Sequence, residues 1–167
     1  MEHKKVELVE LFFDLVMVYA VSKTTGIIHH LNAQGVIEPF DFFSFLVAFV
    51  IIVNAWTYQA VFTNRYGANS ARDMVFSFVS MGLLLFLSNT ITSDWAHTFF
   101  PFTLCLALVF LCQFIQYLVA YMSLKNEDDR FLIRGFLLVT GIYTGTLLVG
   151  ATLPYEVGIW FSMMVWW

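Results

Sequence analysis

Charge is scarce in this sequence. Only 12% of its 167 residues are Asp, Glu, Lys or Arg. The 8 basic residues form no patch with the extent that nucleic-acid binding requires, so nucleic acid is not expected as a partner. With 3 prolines and 9 glycines, no linker, repeat or low-complexity segment emerges, and residues 1–167 are expected to form a single domain. Cys105 and Cys112 stand seven positions apart, about 10.5 Å along a helix, too far for a disulfide. They are expected as buried free thiols, from which no redox compartment follows. There is no nucleophile elbow, phosphate loop, triad spacing or haem motif, which argues against an enzyme and against a cofactor. His29, His30, Asp94 and His97 fall on one side of the chain's zigzag, but adjacent histidines diverge by about 100° on a helix. None of the strong ligand spacings is present, so no metal is expected.

What the chain has instead is apolar length. It is 60% hydrophobic and 19% aromatic, with a mean hydropathy of +0.78. A soluble domain of this size could not hide that much apolar surface. Long runs cover residues 6–30, 42–63, 73–93, 98–124 and 131–153, and a sixth opens at Tyr155. Each reaches about 20 residues, the length a helix needs to cross roughly 30 Å of hydrocarbon. The runs do not alternate in polarity, so a membrane β-barrel is excluded. The fold class expected is all-α, a polytopic transmembrane helix bundle of five complete spans plus a truncated sixth. Glu7, Glu10 and Asp14 interrupt the first run and no small-x-small site follows, which distinguishes it from a cleaved signal peptide. Residues 160–167 read as a span cut short. That suggests a fragment of a longer chain, with C-terminal helices or a second subunit completing it.

The cations set the orientation. Lys4 and Lys5 precede the first run, Arg65 and Arg72 separate the second and third, and Lys125, Arg130 and Arg134 link the fourth and fifth. The connections 31–41, 94–97 and 154–156 carry no lysine or arginine. This is the positive-inside pattern, and it predicts a cytoplasmic N-terminus, with the lipid bilayer as the principal partner. Lys23, about 25 Å up the first helix, is expected to snorkel to the outer interface. Thr140, Gly141, Thr144 and Gly145 make a small-residue face suited to close helix packing in lipid.

The first helix carries the candidate chemistry. Glu7, Glu10 and Asp14 are spaced three and four apart, so they share a stripe continued by Val18, Val21 and Thr25, while Phe12, Phe13 and Val16 point elsewhere. If hydrocarbon starts near Val6, Asp14 lies about 12 Å deep, where a carboxylate costs roughly 3 kcal/mol unless it faces protein or water. Glu7 and Glu10 also suit the headgroup zone or the positive end of the helix dipole. By depth, Asn54, Ser80, Gln113, Gln116 and Thr140 offer polar side chains near the level of Asp14. Asn54, Tyr58 and Arg65 return to nearly one angle on the second helix, placing Arg65 at the inner mouth near Glu7. The expected site is therefore Asp14, Glu10, Glu7, Asn54, Tyr58, Arg65 and Gln116, opening toward the cytoplasm. The competing account is polar glue that orients helices without doing work.

Glu10-Leu-Phe-Phe-Asp14-Leu-Val16 resembles the opening signature of the bacterial low temperature requirement protein A family. Trp56-Thr-Tyr-Gln-Ala-Val-Phe-Thr-Asn-Arg65 is similar to that family's Trp-rich second helix ending in Thr-Asn-Arg. The resemblance implies a multi-spanning inner-membrane protein linked to growth in the cold, with Glu10, Asp14, Trp56, Asn64 and Arg65 at family-pattern positions. Two elements of the family's later segment, His-x-x-Glu-Arg and Leu-Gly-Glu, do not occur here. Three functions follow in order: a transporter-like protein that moves a small solute or cation through an intramembrane carboxylate, a non-transporting sensor, scaffold or assembly subunit, and last a membrane enzyme.

Overall fold

The computed structural model describes residues 8–28, 37, 39–67, 70–91, 95–124, 126–154 and 157–158. Its helices are α1 (Leu8–Thr24), continued by a 3-10 turn (Thr25–Ile28), α2 (Pro39–Arg65), α3 (Ala71–Thr90), α4 (Trp95–Ser123) and α5 (Glu127–Thr152). No β-strand occurs among the described residues.

Local chemistry explains the boundaries. Pro39 opens α2, where its missing N–H has no partner to lose. At the other end, the Tyr66 and Gly67 amides both donate to the Phe62 carbonyl, at 2.8 and 2.9 Å. A capping box starts α3: Ser70 Oγ accepts from the Asp73 amide at 3.2 Å, and Asp73 Oδ2 accepts from the Ser70 amide at 3.4 Å. Asn126 caps α5, whose first turn is acidic at Glu127, Asp128 and Asp129, matching the positive end of the helix dipole. Pro101, which reads as punctuation in the sequence, lies inside α4, and the helix runs through it.

Among the described residues, four helices are long and apolar enough to cross a membrane: Asp41–Arg65, Ala71–Thr90, Thr98–Ser123 and Glu127–Thr152. The expected count of five complete spans plus a truncated sixth is not supported among the described residues. The 17 residues of α1 rise only about 26 Å and carry Glu10, Asp14 and Lys23. The sixth segment lies outside the described residues apart from two positions. The exterior supports a lipid setting: Leu15, Phe78, Phe86, Met122, Leu138 and Ile142 are all exposed. So much outward apolar surface suits acyl chains, not water.

Helix α1 packs against α3 and α2, α3 against α4, and α4 against α5. Phe13, Met17 and Ala20 carry α1 into a core shared with Ile52, Leu84, Leu106 and Phe110. Cys105 and Cys112 are free and buried, as expected. The small-residue face of α5 is used in part. Thr140 and Thr144 are buried, and a Cβ on Gly141 would meet the Phe114 ring at 3.3 Å, whereas Gly145 faces open space. Lys23 places its ammonium 5.5 Å from the Tyr19 ring centre.

Candidate functional site

Helix α2 presents two faces of opposite character. One meets α4 and α5 through aromatic rings: Tyr58 lies edge-on to Phe110 at 6.3 Å and to Tyr143 at 6.0 Å. Two polar donors there find partners on the α2 backbone, while the Gln113 Oε1 is buried without one. Gln113 Nε2 donates to the Ala55 carbonyl at 2.6 Å, and the Tyr117 hydroxyl donates to the Tyr58 carbonyl at 2.8 Å.

The other face of α2 looks onto α1 and α3 across a cleft of about 230 Å³. Glu10, Phe13 and Asp14 line it from α1, Trp56, Gln59, Thr63 and Asn64 from α2, and Ser77 from α3. The Trp56 indole Nε1 donates to Asp14 Oδ1 at 2.8 Å, and this bond joins α1 to α2. Asp14 is itself exposed at the open side. Beyond this pair runs an apolar groove formed by Met17, Val18, Val21 and Val53. Together the two hollows show that α1 runs antiparallel to α2, with Glu10 near Thr63 and Val21 near Val53. Trp56 is nine residues from the Arg65 end of α2, about 13.5 Å in, so the carboxylate it holds sits deep along a spanning helix.

Gln59 is the anomaly of this site. It is 2% exposed, yet neither its Nε2 nor its Oε1 has a hydrogen-bond partner. A buried polar group left unpaired costs about 1–3 kcal/mol. A smaller cavity of about 30 Å³, room for a single water, adjoins the cleft through Val9, Glu10, Thr63 and Ser77. It also touches Asp73 and Gln116, whose Oε1 is likewise buried and unpartnered.

The structure therefore divides the expected site. Asp14 and Glu10 share the cleft and Gln116 lines the cavity beside it, while Glu7 lies outside the described residues. Asn54, Tyr58 and Arg65 are elsewhere. Asn54 Nδ2 donates to the Val50 carbonyl of its own helix at 3.1 Å, and Tyr58 belongs to the aromatic face. Arg65 Nη2 pairs with Asp129 Oδ1 at 3.2 Å, tying α2 to the start of α5. The reason is angular: relative to Trp56, these three positions fall near 180° around α2. Ser80, Gln113 and Thr140 make packing bonds, to Cys112, Ala55 and Phe136 respectively. Phe13, expected to point away, lines the cleft, because it and Asp14 straddle the direction of Glu10 by about 60° and 40°.

The residues that sequence reasoning left out were Gln59, Thr63 and Ser77, with Trp56 as the partner of Asp14. A signal existed on α2, since positions 56, 59, 60, 63 and 64 follow a helical stripe. At the mouth of the bundle, burial pushes the Tyr66 phenol above its ordinary pKa, with Arg65 opposing the rise and Asp129 adding to it. Of the outer histidine cluster, His29, His30 and Asp94 lie outside the described residues. No group of three His, Cys, Asp or Glu side chains that would hold a metal assembles among those described.

Residues 5–167, which contain both arms of this cleft, match the family described as bacterial low temperature requirement A protein (LtrA). The chain belongs to that family. It is accordingly a membrane protein, as its four span-length apolar helices also support. No curated protein and no solved structure matches this LtrA chain.

Proposed function

We propose that this LtrA chain is a transporter-like protein of the bacterial inner membrane, its N-terminus cytoplasmic, which moves a small solute or cation through the α1–α2–α3 cleft. The observation that carries the reading is the cleft itself: two carboxylates on α1 face a buried amide and an indole donor on a spanning helix. Polar and ionisable groups within the membrane are expensive, and where they occur they line ion and solute paths. The orientation rests on Arg65, Arg72, Arg130 and Arg134, with the Arg65–Asp129 pair holding two of the cation-bearing connections at one end. The cleft is assigned binding and passage, not catalysis.

The test is Asp14→Asn. The amide oxygen still accepts from Trp56, while the negative charge is gone. In proteoliposomes loaded with a pH-sensitive dye, the wild type is expected to pass protons with its solute and the variant is expected to lose that flux at an unchanged melting temperature. Equal flux in both proteins refutes the role given to Asp14. A second reading, a non-transporting sensor, scaffold or assembly subunit, is favoured by the Asp14–Trp56 bond, which adds a polar tie between α1 and α2 to the apolar packing of α1. On that account Asp14→Asn changes nothing, and only losing the indole donor loosens α1.

A further inference from the structure

We propose that the solute taken by this cleft is a small protonated primary amine carrying a neutral hydrogen-bonding group, a hydroxyl or a carboxamide; the assignment rests on the transport reading of the same site. Charge selects the ammonium. Asp14 lines the cleft one helical turn, about 6 Å along the axis, from Glu10, and among the described residues no Lys, Arg or His lines it. An anion would meet the Asp14 carboxylate with no cation among the described lining residues, and a zwitterion would set its own carboxylate against that of Asp14.

Gln59 selects the neutral group. Its amide is buried and unpartnered at both ends, unlike Gln113, which donates to the Ala55 carbonyl. Methionine of similar length would fill the space without an unsatisfied donor and acceptor. The amide offers one of each to the cleft, and a hydroxyl or carboxamide returns both. Gln59 stands one turn from Trp56 along α2, so a ligand whose ammonium meets Asp14 reaches the amide across two or three bonds.

Size and lining exclude a bare ion. The cleft holds about 230 Å³, below the roughly 300–1,000 Å³ of drug-sized sites but far more than a dehydrated metal ion needs. Val9, Phe13 and Ala60 make part of its wall and suit methylene groups better than a hydration shell.

The experiment is equilibrium binding of radiolabelled ethanolamine to the full chain in lipid nanodiscs, with ethylammonium, tetramethylammonium, sodium and acetate as competitors. Ethanolamine is expected to bind at least roughly tenfold more tightly than ethylammonium, a difference of 1.4 kcal/mol. Acetate and sodium are expected not to compete. Gln59→Met should erase the preference for the hydroxyl, whereas Asp14→Asn should weaken both amines. Gln59→Leu is the second variant, and a melting temperature at or above wild type shows that each is folded. Failure of every amine to bind, equal competition by sodium, or a hydroxyl preference that survives in folded Gln59→Met overturns the assignment. Ethanolamine binding without flux in proteoliposomes refutes transport and leaves the ligand class standing. Proton flux without amine binding does the reverse.

Discussion

The two faces of α2 differ in how far they satisfy the polar atoms they bury. Toward α4 and α5, Tyr117 is 1% exposed, its hydroxyl is bonded to Tyr58, and its ring stacks on Phe136 at 5.3 Å. Phe110 and Tyr143 stack at 4.8 Å one level further in. Toward α1 and α3, an equally buried Gln59 has no partner, and the carboxylate beside it faces an opening. The first face is filled by rings and its Gln113 and Tyr117 donors are met, leaving Gln113 Oε1 unpaired, and such packing holds helices together where lipid gives no hydrophobic drive. The second keeps space and unmet hydrogen bonds, which is what a binding site requires. On the function proposed, one helix serves as scaffold on one side and as site wall on the other.

The strongest way to break this contrast is to open the aromatic face. Phe110→Ala should destabilise the protein by on the order of 2–3 kcal/mol, read from unfolding in detergent. That is below the roughly 3–5 kcal/mol of a water-soluble core, because the membrane-inserted chain never exposes this ring to water. If the loss is no larger than for a cleft substitution, the division into scaffold and site is wrong. Trp56→Phe tests the cleft side: it removes one hydrogen bond to a carboxylate at an exposed position and should cost about 1 kcal/mol. Its expected signature is faster amide exchange in α1 with the α4–α5 pair unchanged, and uniform loosening would contradict it.

The smallest effect sharpens the boundary between the faces. Burial holds the Tyr66 phenol above its usual pKa, so its folded form resists ionisation more than the unfolded chain does. That stability is fully present below about pH 10 and is lost as pH rises through the folded value. Tyr66→Phe also removes a buried hydroxyl without a partner, so at neutral pH it should be neutral or slightly stabilising. Melting curves at neutral and alkaline pH should show a shallower alkaline decline in the variant. An unchanged decline would show that Tyr66 does not ionise there.

Much of the architecture was legible in the sequence because lipid imposes simple rules. A helix that must satisfy its own backbone needs apolar length, and the runs at 42–63, 73–93, 98–124 and 131–153 each appear as a spanning helix with shifted ends. The first run misled. Its apolar average hides Glu10, Asp14 and Lys23, and the regular helix stops at Thr24. Asp14 and Glu10 were legible as a pair, since spacing on one helix fixes their common direction. Gln59 was not, because a glutamine that is buried without a partner looks the same in sequence as one bonded to a neighbour.

By itself, then, the sequence determined a helical membrane protein, the helical register of each stripe and the acidic face of α1, all of which follow from local periodicity and hydrophobic length. Only the tertiary structure decided which stripe of α2 meets that acidic face. Asn54, Tyr58 and Arg65 formed as good a row as Trp56, Gln59 and Thr63, about half a turn away. The choice between them depends on how α2 is rotated when α4 and α5 fill one of its sides with aromatic rings, and no periodicity within a single helix records that rotation.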